Sequence, residues 1–81
     1  MKHLTHEERE TIERGERVLK RHQDDWRDSD NQEIKDLLVL IESSSRNQKD
    51  AYQADDVDKY FSINSMINDH YEELDWLIAN N

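Results

Sequence analysis

The amino-acid sequence predicts an all-α protein, an antiparallel three-helix bundle that forms one domain over residues 1–81. Three observations predict this fold. Apolar residues recur at alternating steps of three and four in three segments, which is the spacing of one face of a helix. The chain has no proline and a single glycine, so few residues interrupt those segments. Two short polar stretches separate them, and short connections make consecutive helices antiparallel neighbours.

The first helix is expected over about residues 6–26. Thr5 and Glu8 have the spacing of a capping box, in which each side chain accepts a hydrogen bond from a free backbone N–H of the other residue. We expect ion pairs Glu10–Arg14 and Glu13–Arg17 on the polar side, since residues four apart face each other. The apolar face is narrow and consists of Ile12, Gly15, Leu19, His22 and Trp26.

The second helix is expected over about residues 31–54, capped by Ser29 with Gln32 or by Asp30 with Glu33. Residues 43–48 are polar and permit either a break or a continuous helix. Continuity is predicted, because neither glycine nor proline occurs there. The residues expected on the inner face are Ile34, Leu37, Leu38, Ile41, Ser45, Gln48 and Tyr52.

The third helix is expected over about residues 56–79, with Asp55 or Asp56 at its N-cap. It has the longest regular apolar pattern of the chain. Asn64 falls within that pattern, where it either fixes the helix register or lies hydrated at the edge of the bundle. The first helix is too polar to cover all this apolar surface, so we expect a homodimer or a partner to bury the rest. The pattern runs through Val57, Tyr60, Asn64, Ile67, Tyr71, Leu74 and Ile78, widened by Phe61, Ile63, Met66, Trp76 and Leu77.

Charge is distributed unevenly along the chain. The net charge is −9, and residues 54–81 hold seven acids against one base. This disfavours direct binding to nucleic acid or to an anionic membrane, and it favours a basic protein partner. The longest apolar run has five residues, and residues 1–10 lack the apolar core of a secretory signal. We therefore expect a cytoplasmic location, in a cell or in an infected host.

The residue types needed for catalysis or metal binding are poorly represented. There is no cysteine, which removes thiolate zinc sites and cysteine nucleophiles. His3 and His6 have the spacing of two metal ligands on a helix, but a third and a fourth ligand are needed. No histidine stands at a recognisable distance from the serines 43–45. We expect no enzyme activity, no catalytic residue, no cofactor and no metal.

The sequence thus predicts a small acidic protein-binding module. Trp76, flanked by carboxylates, is either an exposed anchor for a basic surface or a lid over the bundle. We expect a phage or mobile-element inhibitor that blocks a basic surface of a host nucleic-acid-processing protein, because helix-borne carboxylates resemble spaced phosphates. The alternative is a homodimeric scaffold or regulatory adaptor without charge mimicry. The expected partner-binding residues are Asp55, Asp56, Asp58, Asp69, Glu72, Glu73, Asp75 and Trp76.

Overall fold

The computed structural model describes residues 3–81, so residues 1 and 2 of the expected domain lie outside the described range. It confirms the all-α three-helix bundle, and no strand occurs in the described part of the chain. Each observed helix end lies within one residue of its expected position. The second helix is continuous through the polar run of residues 43–48, as expected. The helices are α1 (His6–Trp26), α2 (Gln32–Gln53) and α3 (Val57–Ala79).

The middle helix holds the bundle together. Packing joins α2 to both α1 and α3, whereas no Cα atom of α1 lies within 8 Å of one of α3 over residues 3–81. Two tyrosine side chains of α3 bridge the distance between α3 and α1. The hydroxyl of Tyr60 donates a 3.0 Å hydrogen bond to the backbone carbonyl of Glu8, and the rings of His22 and Tyr71 lie 5.9 Å apart. The bundle is slender, with extents of 46 × 18 × 16 Å.

One apolar core runs along the inner faces of the three helices. Ile34, Ile41, Tyr60 and Leu74 are almost fully buried, and each burial contributes about 1.5–3 kcal/mol for a side chain of this kind. The inner face of α2 differs from the expected one, since Ser44 and Ala51 are buried whereas Ser45 and Tyr52 are only half-buried. This helix is covered on two sides, so its buried arc is wider than a single apolar line. The core comprises Ile12, Leu19, Ile34, Leu37, Leu38, Ile41, Ala51, Tyr60, Ile63, Ile67 and Leu74.

The N-cap of α1 only partly follows the capping-box prediction. Thr5 Oγ1 accepts a 3.3 Å hydrogen bond from the backbone N–H of Glu7, and its hydroxyl donates at 2.5 Å to the carboxylate of Glu8. The expected reciprocal bond from Glu8 to the backbone of Thr5 is replaced by this contact between side chains. The side chain of Thr5 still satisfies one free amide, which is the physical requirement at a helix start.

The cap of α2 is Asn31, so the prediction of Ser29 or Asp30 was wrong. Asn31 Oδ1 accepts a 3.2 Å hydrogen bond from the N–H of Ile34. Ser29 instead accepts a 3.0 Å hydrogen bond from the N–H of Asn31 and thereby orders the turn before the helix. Because all three candidates are good capping residues, only the path of the turn decides which one reaches the free amide.

The expected ion pairs of α1 were also wrong, because the same glutamates pair in the opposite direction. Glu10 lies 3.1 Å from the imidazole of His6, and Glu13 lies 3.3 Å from the guanidinium of Arg9. Each glutamate has a basic residue four positions before it and four positions after it. Exposed pairs of this kind contribute about 0–1 kcal/mol, so the choice between the two directions costs little.

Candidate protein-binding surface

The outer face of α3 presents a tryptophan beside three carboxylates. Trp76 is 63% exposed, so it is not a lid over the bundle. Asp69, Glu72 and Glu73 precede it by seven, four and three residues, which places all four side chains on one side of the helix. All three acids are exposed. We call these four residues the Trp76 patch.

The negative charge of the Trp76 patch is not neutralised within residues 3–81. The ion pairs found there involve α1, α2 and the contact of His3 with Asp55, and none reaches a carboxylate of α3. The only lysine or arginine on α3 is Lys59, ten residues before Asp69 and therefore about 15 Å away along the helix axis, and His70 of the same helix is in no ion pair within the described chain. The patch therefore faces solvent as an anionic surface.

Asp55 has a structural contact inside the chain. Its Oδ1 accepts a 2.9 Å hydrogen bond from the backbone N–H of Leu4, and its Oδ2 lies 2.6 Å from Nδ1 of His3. The hydrogen bond from Leu4, and then the contact with His3, lower the pKa of the Asp55 carboxyl below its usual value of 3.8. Its backbone has a φ of 52°, an uncommon conformation that aspartate tolerates better than most residues. Asp55 thus fastens the segment before α1 to the turn between α2 and α3.

Of the three other acids expected at the binding surface, Asp56 and Asp58 lie apart from the Trp76 patch and Asp75 lies at its edge. Asp56 is the N-cap of α3 and accepts a 3.2 Å hydrogen bond from the N–H of Lys59. Asp58 is exposed, but it precedes Trp76 by 18 residues, or about 27 Å of helix. Asp75 is adjacent to Trp76 in sequence and points about 100° away from it around the helix axis, but it follows Glu72 by three residues and so lies at the edge of the patch. The structure brings together Asp69, Glu72, Glu73 and Trp76, and whether they bind a partner remains a prediction.

Two exposed apolar side chains were not placed correctly from the sequence. Phe61 and Met66 were expected to widen the buried stripe of α3, but Phe61 is 49% exposed and Met66 is also exposed. Phe61 packs edge-on against Tyr60, with ring centroids 5.0 Å apart. Val39 and Leu40 of α2 are exposed as well, in agreement with the expected inner face of that helix, which did not include them. The apolar run of residues 37–41 is longer than one buried face of a helix requires, so the sequence indicates that some members of this run face solvent.

A small pocket with a largely apolar lining from all three helices lies where α1 and α3 do not approach closely. Its volume is about 100 Å³, and its lining includes Gly15, Asn64, Asn68 and Tyr71. Nearby, the hydroxyl of Tyr71 and Nδ1 of His22 are buried without a hydrogen-bond partner in the protein. Burial raises the pKa of the Tyr71 hydroxyl. The few polar groups of the lining are sufficient to hold ordered water in a space of this size, so the pocket does not by itself indicate a ligand.

Asn64 makes a specific contact across the bundle. It is half-buried, and its Oδ1 accepts a 2.9 Å hydrogen bond from the side-chain amide of Gln48, which is buried. Of the two roles considered from the sequence, this contact fits the fixing of helix register better than simple hydration at an edge. The bond joins α2 to α3 at one defined level of the bundle.

Comparisons with protein-family models, with curated proteins and with solved structures gave no match. Within residues 3–81, no group of three or more metal-binding side chains is placed to hold an ion. No helix of the described part is long and apolar enough to cross a membrane. Function is therefore inferred from the residues and the geometry of this chain alone.

Proposed function

We propose that this protein is a binding module that covers a basic surface of another protein, and that it acts by binding rather than by catalysis. The observation that carries the proposal is the exposure of Trp76 beside carboxylates that no base in residues 3–81 neutralises. Large exposed aromatic side chains of this kind are frequent energetic anchors of protein interfaces. The contact surface is the Trp76 patch.

The two kinds of side chain in the patch have different tasks. Carboxylates attract a basic surface over a distance, which raises the association rate and selects among partners. Trp76 supplies apolar area, and its ring also attracts an arginine or lysine through the cation–π interaction. Rising salt should therefore weaken binding by slowing association, while part of the affinity should survive because the tryptophan contact is not screened.

The more specific form of the proposal concerns the partner and the setting. The partner is a nucleic-acid-processing protein of a host cell, and the chain is a phage or mobile-element inhibitor acting in the cytoplasm. Its support is geometric and electrostatic. Asp69, Glu72 and Glu73 are held within little more than one turn of one helix, so they offer a rigid cluster of charge to a groove lined with lysine and arginine.

The experiment that tests the binding surface is affinity capture from host lysate with three versions of the chain. The first is the wild type, and the second has Asp69, Glu72 and Glu73 changed to lysine. The control has three exposed acids at the end of α1 and in the following turn, Asp24, Asp25 and Asp28, changed to lysine. Both triple variants change the net charge equally. We expect the patch variant to lose its partner and the control to keep it; equal capture by both variants would contradict the proposal.

Charge mimicry needs a separate experiment. Duplex DNA or heparin added to the captured complex should release the partner, because both polyanions occupy basic grooves that accept phosphate. A partner that stays bound at every polyanion concentration would exclude the mimicry while leaving the binding surface intact. A captured protein without nucleic-acid-binding activity would have the same consequence.

The exposed apolar side chains favour a second candidate, a scaffold or regulatory adaptor that joins proteins without charge mimicry. Phe61, Met66 and Leu40 offer apolar area outside the Trp76 patch. Binding through these residues should depend little on salt, since apolar contacts are not screened. Affinity that is the same at low and high salt, and that is lost on Phe61→Ser but not on reversal of the patch, would favour this candidate.

A further inference from the structure

A row of arginines on the outer face of α1 has no assigned role. Arg14, Arg17 and Arg21 are all exposed, and none of them is in an ion pair within residues 3–81. Val18, 42% exposed, lies among them on the same side of the helix. We call Arg14, Arg17, Val18 and Arg21 the arginine patch. It is a row of positive charge on a chain of net charge −9, bordered by Glu10 and Glu13 before it and by Asp24 and Asp25 after it.

The arginine patch and the Trp76 patch have the same spacing and opposite charge. Counted from its first residue, each patch has members at positions 0, 3, 4 and 7. Each therefore covers about 10 Å of one helix. Each also combines three charged side chains with one exposed apolar side chain, Val18 in one and Trp76 in the other. No ion pair joins the two patches within the described chain.

From this complementarity we propose that a second copy of this chain docks its arginine patch on the Trp76 patch. With the two rows aligned in either direction, two of the arginines face carboxylates and the third faces Trp76, and each arginine–carboxylate pair permits two parallel hydrogen bonds. A guanidinium also stacks on an exposed indole ring better than an ammonium does, which suits Trp76.

A second copy fits this surface better than a polyanion does. Three arginines are too few to hold a nucleic acid against the repulsion of the remaining acidic chain, whereas every copy carries the matching surface at the matching length. The contact is small and its charges are exposed, so self-association should be weak and sensitive to salt. The proposal does not rest on the proposed function. The two meet at the Trp76 patch, where a tightly bound partner would displace the second copy.

Sedimentation equilibrium measures the self-association directly. The wild-type chain, of 9.8 kDa, is examined from about 10 µM to about 1 mM, at about 20 mM and about 500 mM salt. We expect the average mass to rise with concentration toward that of a dimer or above at low salt, and to stay at the monomer value at high salt. Monomeric mass under all these conditions would overturn the proposal.

Two variants, each with the charge of one patch reversed, test whether the two patches form the contact between copies. One variant carries Arg14→Glu, Arg17→Glu and Arg21→Glu, and the other carries lysine at the three acids of the Trp76 patch. Each variant alone should be monomeric, because its two patches then have the same sign. An equimolar mixture should associate again, because every patch of one variant faces a patch of opposite charge on the other. Recovery in the mixture also shows that both variants are folded.

Two controls separate this surface from a general effect of net charge. Reversal of three acids raises the net charge from −9 to −3, and reversal of three bases lowers it from −9 to −15. The controls reach these values with reversals elsewhere and should associate as the wild type does. A mixture of the patch variants that stays monomeric, or controls that lose association as fully as the patch variants do, would contradict the proposal. The arginine variant keeps the Trp76 patch and should still capture a heterologous partner, so failure of one proposal is distinguishable from failure of the other. The control positions are Asp36, Asp50 and Asp58 for the acids, and Arg27, Arg46 and Lys59 for the bases.

Discussion

The side-chain amide of Gln48 on α2 donates a 2.9 Å hydrogen bond to Oδ1 of Asn64 on α3. Gln48 is almost fully buried, and its neighbours along the bundle are mainly apolar. A buried amide without a partner is costly, so a shift of α3 along α2 by one turn would remove this bond and lose free energy. The pair therefore fixes the level at which the outer face of α3, with its Trp76 patch, lies on the bundle.

A double-mutant cycle tests this relationship. Asn64→Ala leaves the buried amide of Gln48 without an acceptor and should lower the free energy of unfolding by about 1–3 kcal/mol. Gln48→Met removes the amide while keeping its volume. The double variant should be more stable than the sum of the single effects predicts, by at least about 0.5 kcal/mol, because no unpaired group is left. Urea denaturation measures all four proteins, and strict additivity would show that the pair is not coupled.

Truncation of two nearby side chains of α3 should change the free energy of unfolding by very different amounts. Leu74 is fully buried, and Leu74→Ala should lower the free energy of unfolding by about 2–5 kcal/mol. Trp76 is largely exposed, and Trp76→Ala should change it by less than about 0.5 kcal/mol. Thermal denaturation of the two variants makes the comparison. A large loss of stability on Trp76→Ala would mean that the ring is part of the core and is not available to a partner.

Much of the fold was predictable because the information is local. Thr5 was recognised as a helix cap, and Asp56 as one of two candidate caps beside Asp55, from their side chains and their position before an apolar pattern. The third helix followed from its unbroken steps of three and four. The continuity of α2 followed from the absence of glycine and proline between residues 43 and 48. Each of these signals depends on residues within one or two turns of each other, which is why a sequence can show them.

The space around Gly15 provides a test of the gap between α1 and α3. A Cβ atom built at Gly15 meets no other atom within 4 Å. Glycine inside a helix is less favourable than alanine by about 0.5–1 kcal/mol, so Gly15→Ala should raise the free energy of unfolding by that amount. For a chain of this size the melting temperature should rise by roughly 4–8 °C per kcal/mol. If Gly15→Ala instead lowered the melting temperature, the added methyl group would be clashing with α3, and α3 would lie closer to α1 than described.

The contact of Asp55 with the segment before α1 should make stability depend on pH. Its pKa is lowered in the folded state, first by the backbone N–H of Leu4 and then by His3. The carboxylate therefore stabilises the fold above its unfolded pKa near 3.8, and this contribution is lost as pH falls through the lower folded pKa. Asp55→Asn keeps a side chain that tolerates positive φ but has no charge.

Chemical denaturation of wild type and Asp55→Asn, at pH values between about 2 and about 6, measures this contribution. We expect the wild type to be the more stable protein at the upper end of the range, and the difference to close as the carboxylate is protonated. A difference that stays constant over the whole range would assign the effect of the substitution to the backbone turn instead of the charge.

The roles that the sequence did not predict depend on distant contacts. Asp55 was expected at a binding surface or at the N-cap of α3, but its carboxylate contacts His3 and Leu4, about fifty residues earlier in the chain. No local pattern encodes that approach. Phe61 and Met66 were expected to be buried, and only the spacing of α1 and α3 shows that too little surface covers them. The choice of Asn31 over Ser29 as a cap likewise depends on the path of the turn.

The central claim is that the outer face of α3 around Trp76 is the surface that binds a partner. Fluorine NMR of the chain labelled with 5-fluorotryptophan tests it directly, because the chain has two tryptophans, Trp26 and Trp76. Trp26 is half-buried at the end of α1 and serves as the internal control. On titration with the captured partner, the Trp76 resonance should shift while that of Trp26 stays in place. A shift confined to Trp26, or no shift of Trp76 at saturating partner, would contradict the claim.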